Sequence, residues 1–162
     1  INPKIQLMSS PWSAPKWMKS NQDSRGGELL KKYYSAYALY FAKYIKAMAE
    51  EGIKIDAITI QNEPHHPGNN PSMYMSSADQ AEFIGDHLGP LFEKENIDTK
   101  IIIWDHNADE YNYPIEVLSN AQANAYRGGT HGCYLSLRTR QDRRRGSLRE
   151  GSRILGEVSA RR

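Results

Sequence analysis

A chain of 162 residues with 39% hydrophobic content can bury a core of its own, and its one cysteine, Cys133, excludes an internal disulfide. A formal net charge of +2 gives no reason to expect a strongly charged partner such as nucleic acid. No run of about 18 apolar residues is present, so no membrane-spanning segment is expected.

The chain opens on Ile-Asn-Pro, without Met or a signal peptide, and its true N-terminus is expected to lie further upstream. Lys4 to Ser9 alternates in hydropathy and predicts a short strand. Pro11 and Pro15 end it and stiffen the loop that carries Trp12. After Gly26-Gly27 a long helix is predicted from about Glu28 to Glu51. Its apolar stripe is Leu30, Tyr34, Tyr37, Phe41, Tyr44 and Met48, and Gly52 suits the position that closes it. Ile55 to Gln61 is rich in β-branched residues and predicts a strand running into Asn62-Glu63-Pro64.

A Pro/Gly/Asn-rich loop extends to about Ser76. Ser77 and Gln80 then form a candidate capping box for a helix with Ala81, Ile84, Leu88 and Leu91 on one face and a kink expected at Gly89-Pro90. Lys100 to Trp104 is a continuous apolar strand ending in Asp105-His106-Asn107. Pro114 fits the first turn of a helix to about Tyr126, and Gly129 to Tyr134 is one more candidate strand. Apolar strands joined by helical crossovers specify a parallel sheet covered by helices, either doubly wound or a (β/α)8 barrel. Trp12, Asn62, Glu63, Asp105 and His106 all fall just past strand ends, where both architectures build their sites. No glycine-rich phosphate loop follows any strand.

Glu63 is the leading candidate for chemistry. A carboxyl group at a strand mouth with limited water can hold a proton near neutral pH, whereas in a solvated loop it would only cap or face water. Asn62 beside it can hydrogen-bond a substrate hydroxyl. His65 and His66 are adjacent, so their side chains point apart, and no third ligand stands at useful spacing; no metal is expected. The arginines at 143–145 have no aromatic companion and do not read as a nucleic-acid surface.

Ile60-Gln61-Asn62-Glu63-Pro64 resembles the Asn-Glu-Pro signature of the (β/α)8 glycosidases that carry their acid/base after the fourth strand. The segments at 10–19, 33–41, 55–60, 74–76, 87–90 and 101–107 look like glycoside hydrolase family 30, which includes glucosylceramidases and β-1,6-glucanases. The resemblance spans about residues 1–134 and implies a fragment of a (β/α)8 barrel covering about the third to sixth strands. It implies retaining hydrolysis of a β-glucoside or related glycan, with no cofactor. On it, Glu63 is the acid/base, Asn62 contacts the hydroxyl next to the scissile bond, Trp12 stacks on a sugar ring and Asp105 lines a subsite. His131 and Tyr134 approximate the family's His-x-Tyr, but with two residues between them. Glu157, preceded by Ile154-Leu155, is the candidate nucleophile, although the family's aromatic strand is absent around it. The alternative is a carbohydrate-binding remnant of such a barrel that lacks a competent nucleophile.

The last 26 residues change character. Leu137 to Arg162 holds nine arginines, three acids and no lysine, and all sixteen aromatic residues lie at or before Tyr134. Two regions are therefore expected: 1–134, a partial catalytic domain, and 135–162, an arginine-rich tail that a frameshift or an artificial junction would produce. With two early strands and the last one lacking, the chain by itself is expected to be inactive.

Overall fold

Four short strands form one parallel sheet in the computed structural model, which describes residues 4–107 and 109–126 together with the backbone of 133–134. They are β1 (Met8–Ser9), β2 (Ala57–Thr59), β3 (Lys100–Ile102) and β4 (Cys133–Tyr134), hydrogen-bonded in the order β1-β2-β3-β4. Each strand thus pairs with its successor, stepping in one direction, as every crossover of a (β/α)8 barrel must; a doubly wound sheet reverses at a switch point. The predicted Glu157, His131 and the tail from residue 135 lie outside the described residues, as does the start of the strand expected at Gly129.

The strands are shorter than expected for local reasons. Before β2, the Leu7 N–H donates to the Asp56 side chain at 2.9 Å, so a carboxylate stands in for a ladder partner. Beyond β1, Pro11 has no N–H to offer, although its carbonyl still accepts from Asn62 at 2.8 Å and keeps the two strand-end loops together. Side chains alternate across the sheet. Ile58, Ile60, Ile101 and Ile103 are buried and take one face, while Ala57, Thr59, Gln61, Ile102 and Trp104 take the other.

The helices depart from the sequence pattern in instructive ways. α1 (Tyr34–Glu50) begins after a 3₁₀ turn at Lys31–Tyr33, not at Glu28. Leu29 pairs with Lys19, and Glu28 exchanges hydrogen bonds with Ser20 through the Ser20 N–H and hydroxyl. These long-range pairs hold residues 28–29 extended against their helical periodicity. Tyr34, Tyr37 and Phe41 are buried as the stripe predicts, with Tyr44 and Met48 packed at its margin. Gly52 closes the helix at φ 76°, a conformation open to glycine.

α2 (Ser77–Glu82) is capped one residue earlier than expected: Ser76, not Ser77, accepts the Asp79 N–H at 3.1 Å. The distortion expected at Gly89-Pro90 is spread over the preceding turn, which is π-helical across Phe83–Leu88 before α3 (Gly89–Lys94). Pro90 has no N–H for the i−4 carbonyl, and a widened turn absorbs the loss. The helix expected to run to Tyr126 is two, α4 (Asn112–Ser119) and α5 (Ala121–Ala125). Asn120 stays extended and caps α5 through the Ala123 N–H at 2.9 Å.

The π turn docks on α5 through Gly85, and the start of α3 docks on Tyr126 through Gly89. A Cβ at Gly85 would fall 2.7 Å from the Gln122 Cβ and 2.9 Å from the Ala123 nitrogen; one at Gly89 would strike the Tyr126 ring at 2.4 Å. Gly85→Ala therefore forces backbone apart and should destabilise the full-length protein by about 1–3 kcal/mol. Scanning calorimetry measures this, and an unchanged unfolding temperature would mean that α5 does not pack there.

Candidate active site

The sheet register brings the strand-end residues together. Ser9 is level with Ile58, so one step further Ser10 meets Thr59, and their hydroxyls lie 2.6 Å apart. Ser10 also donates to Asp105 Oδ2 at 2.9 Å, from the loop beyond β3. Asp105 Oδ1 accepts the backbone N–H of Glu63 at 2.8 Å. Ends of three successive strands are thus linked through one carboxylate.

Glu63 itself is half-buried and sits at φ 45°, in the left-handed region. A residue with a Cβ is held there at a cost on the order of 1–3 kcal/mol, and such strain concentrates at functional sites. Its Oε2 accepts from Asn69 Nδ2 at 3.0 Å, and its Oε1 lies 3.8 Å from His106 Nε2. One carboxyl oxygen is therefore pinned while the other faces an imidazole. The second ring nitrogen of His106 is buried with no hydrogen-bond partner among the described residues, and its ring leans on Trp104 and His66, with centroids 5.7 and 5.9 Å away.

Asn62 is half-buried next to Glu63, and Trp12, in the loop beyond β1, is 47% exposed and so is not a core residue. Gln61 secures both: its Nε2 donates to the carbonyls of Trp12 at 2.8 Å and of Asn62 at 3.0 Å. Below them Lys19 is fully buried and donates to Ser13 Oγ at 2.9 Å, the Ser24 carbonyl at 3.1 Å and the Ser72 carbonyl at 2.7 Å. Burial pushes its ammonium below the ordinary lysine range. The lysine fastens the Trp12 loop to the loop that holds Asn69.

His65 turns away from His66: it pairs with Glu110, stacks on Tyr74 at 5.4 Å and meets Tyr113 edge-on at 4.8 Å. Burial raises the Tyr113 hydroxyl well above its usual range, so it stays a neutral donor to the Met75 and Ser76 carbonyls at 3.2 and 3.3 Å. Among the described residues no group of three His, Cys, Asp or Glu side chains could hold a metal ion.

Of the residues singled out from sequence, Trp12, Asn62, Glu63 and Asp105 converge on one end of the sheet. Tyr134 is described by its backbone alone, paired with Ile102 in β4. His131 and Glu157 lie outside the described residues. Sequence reasoning missed Asn69, which reads as loop composition. It missed a role for Gln61 and Lys19, whose polar side chains inside apolar surroundings were the available signal. His106 stood in the strand-end cluster without an assigned task.

The Glycosyl hydrolase family 30 TIM-barrel domain model matches residues 1–145. An endo-1,6-β-D-glucanase of Neurospora crassa is 40% identical over 126 residues, covering 75% of this chain and 26% of that protein. The lysosomal acid glucosylceramidase of Mus musculus is 30% identical, covering 62% of this chain and 21% of its own length. Among solved structures, an endo-β1,6-glucanase superposes with a TM-score of 0.74 at 38% identity, over 78% of this chain and 31% of that one. The chain thus spans about a quarter of the length of the curated relatives it matches.

Proposed function

The chain belongs to glycosyl hydrolase family 30, and from that membership we propose that the protein carrying this segment hydrolyses β-glucosidic bonds with retention of configuration. The observation that carries the reading is the mounting of Glu63 at the sheet's end, its backbone N–H on Asp105 and one carboxyl oxygen on Asn69. Glu63 is the acid/base: its proton goes to the glycosidic oxygen as the bond to the anomeric carbon breaks. A second carboxylate attacks that carbon to form a glycosyl-enzyme. Glu63 then takes a proton from the water that releases the sugar. Asn62 binds the hydroxyl beside the scissile bond, and Trp12 offers its exposed face to a sugar ring. His131, Tyr134 and the candidate nucleophile Glu157 complete the proposed set. No organic cofactor or metal enters this scheme.

The described strands correspond in this reading to about the third to sixth of the barrel, and residues 135–162 form a separate arginine-rich tail, although the family match runs on to residue 145. The likeness to the glucanase exceeds that to the glucosylceramidase in both identity and coverage, so a β-1,6-glucan is the substrate to test first. Retention needs the second carboxylate about 5–5.5 Å from Glu63, across a closed barrel of eight strands. The four strands of the described residues cannot close by themselves, and the isolated 162-residue chain is proposed to be inactive. Proton NMR of the first-formed sugar tests the mechanism. The full-length protein should release the β-anomer, and first release of the α-anomer would overturn retention. An aryl β-glucoside cleaved by the isolated chain would overturn the inactivity.

A further inference from the structure

We propose that Asp105 is a positioning residue for Glu63, a clamp that fixes the main chain from which the acid/base carboxyl projects, in place of a direct contact to the glycan. The inference rests on the reading of Glu63 as acid/base. Both Asp105 oxygens are committed to protein donors: Oδ1 to the Glu63 N–H at 2.8 Å, Oδ2 to the Ser10 hydroxyl at 2.9 Å. Ser10 is in turn held by Thr59 at 2.6 Å, and Thr59 is a fully buried residue of β2. The clamp is therefore anchored in the sheet itself, one strand to either side of the loop it restrains.

The restrained residue needs restraint. Glu63 has a φ of 45°, a conformation that L side chains with a Cβ leave readily unless the surroundings fix it. A charged acceptor on its N–H makes one of the stronger backbone hydrogen bonds available. Releasing it would let the peptide relax and swing the side chain. A misplacement of about 1 Å at a reacting group can cost about 10²-fold in rate. The loss would fall on the two proton transfers Glu63 performs, donation to the leaving group and removal of the proton from the attacking water. A glycan contact at Asp105 would instead spread its loss over binding of every substrate.

The test uses the full-length protein with two substrates, a dinitrophenyl β-glucoside whose leaving group needs no proton and an alkyl β-glucoside whose leaving group does. Asp105→Ala should lower kcat/KM on the alkyl substrate by about 10- to 100-fold through kcat, with KM nearly unchanged. On the dinitrophenyl substrate kcat/KM, which reports the first step alone, should fall by less than about 3-fold, while kcat should fall and recover with azide. Asp105→Asn should recover most of the loss, because its amide oxygen still accepts the Glu63 N–H. Combined with Glu63→Gln, Asp105→Ala should add little further loss, as expected of groups that act as one unit. Equal losses of kcat/KM on both substrates, a rise confined to KM, or full additivity in the double variant would overturn the clamp. Should Asp105→Ala fail to fold, Ser10→Ala carries the test with the same leaving-group pattern, and the absence of that pattern overturns the proposal. Glu63→Gln alone decides the underlying reading: if it shows the leaving-group dependence and Asp105→Ala does not, only the clamp falls.

Discussion

Glu63→Gln in the full-length protein should reduce turnover of an alkyl β-glucoside by at least about 10²-fold, the lower end of what a positioned acid/base contributes. The substitution preserves the shape of the side chain. The amide oxygen can still accept from Asn69, whose Nδ2 now lies 3.0 Å from Glu63 Oε2, and the backbone N–H still meets Asp105. What is removed is the transferable proton. Substrates with acidic leaving groups depart unaided, so their first step should be nearly normal. Their second step should slow, because no base then activates water, and a glycosyl-enzyme should accumulate. Azide needs no deprotonation and should restore that step, yielding a β-glucosyl azide that chromatography identifies. Steady-state kinetics on both substrates with and without azide is the measurement. Equal losses on both, with no azide effect, would remove Glu63 from the role.

The parts of this site that were legible in the sequence are those encoded locally. Asn62-Glu63-Pro64 follows an apolar strand, and Asp105 follows another, so the pattern of strand and polar end was enough to place both at the sheet's edge. What joins them was not legible. The Glu63–Asp105 bond spans 42 residues and the Ser10–Asp105 bond 95, and no local pattern encodes such a distance. The left-handed backbone at Glu63 is equally silent, because the usual signal for it is glycine. Asn69 stands among Pro67, Gly68, Asn70 and Pro71, where an asparagine ordinarily forms a turn. The start of α1 failed for the same reason in reverse. Its helical periodicity continues through Glu28 and Leu29, and only tertiary pairing with Lys19 and Ser20 overrides it. Strand and helix alternation alone had left two folds open; the match to a TIM-barrel family decides between them, and the sequential parallel order agrees with it.

Trp104→Ala should be the most damaging change to stability. The residue is fully buried two positions past β3, directly before Asp105 and His106. Its ring lies 4.7 Å from that of Tyr113 and 5.7 Å from those of His65 and His106, and its Nε1 donates to the Asn107 carbonyl at 2.8 Å. Removing a buried tryptophan commonly costs about 3–5 kcal/mol, part of it from the cavity that neighbours cannot fill. In a domain of 150–250 residues each kcal/mol is worth about 2–4 °C, so the unfolding temperature should fall by on the order of 10 °C. Trp104→Phe keeps most of the packing and loses only the indole donor, whose acceptor belongs to an exposed residue that water can serve. It should therefore recover most of the difference. The consequence reaches the chemistry, because His106 loses the ring it leans on and stands 3.8 Å from Glu63. At a temperature where near-UV circular dichroism shows Trp104→Ala still folded, its turnover should remain below that of Trp104→Phe. Equal turnover in the two would mean that the aromatic floor supports the fold alone and leaves the position of the carboxyl to Asp105 and Asn69.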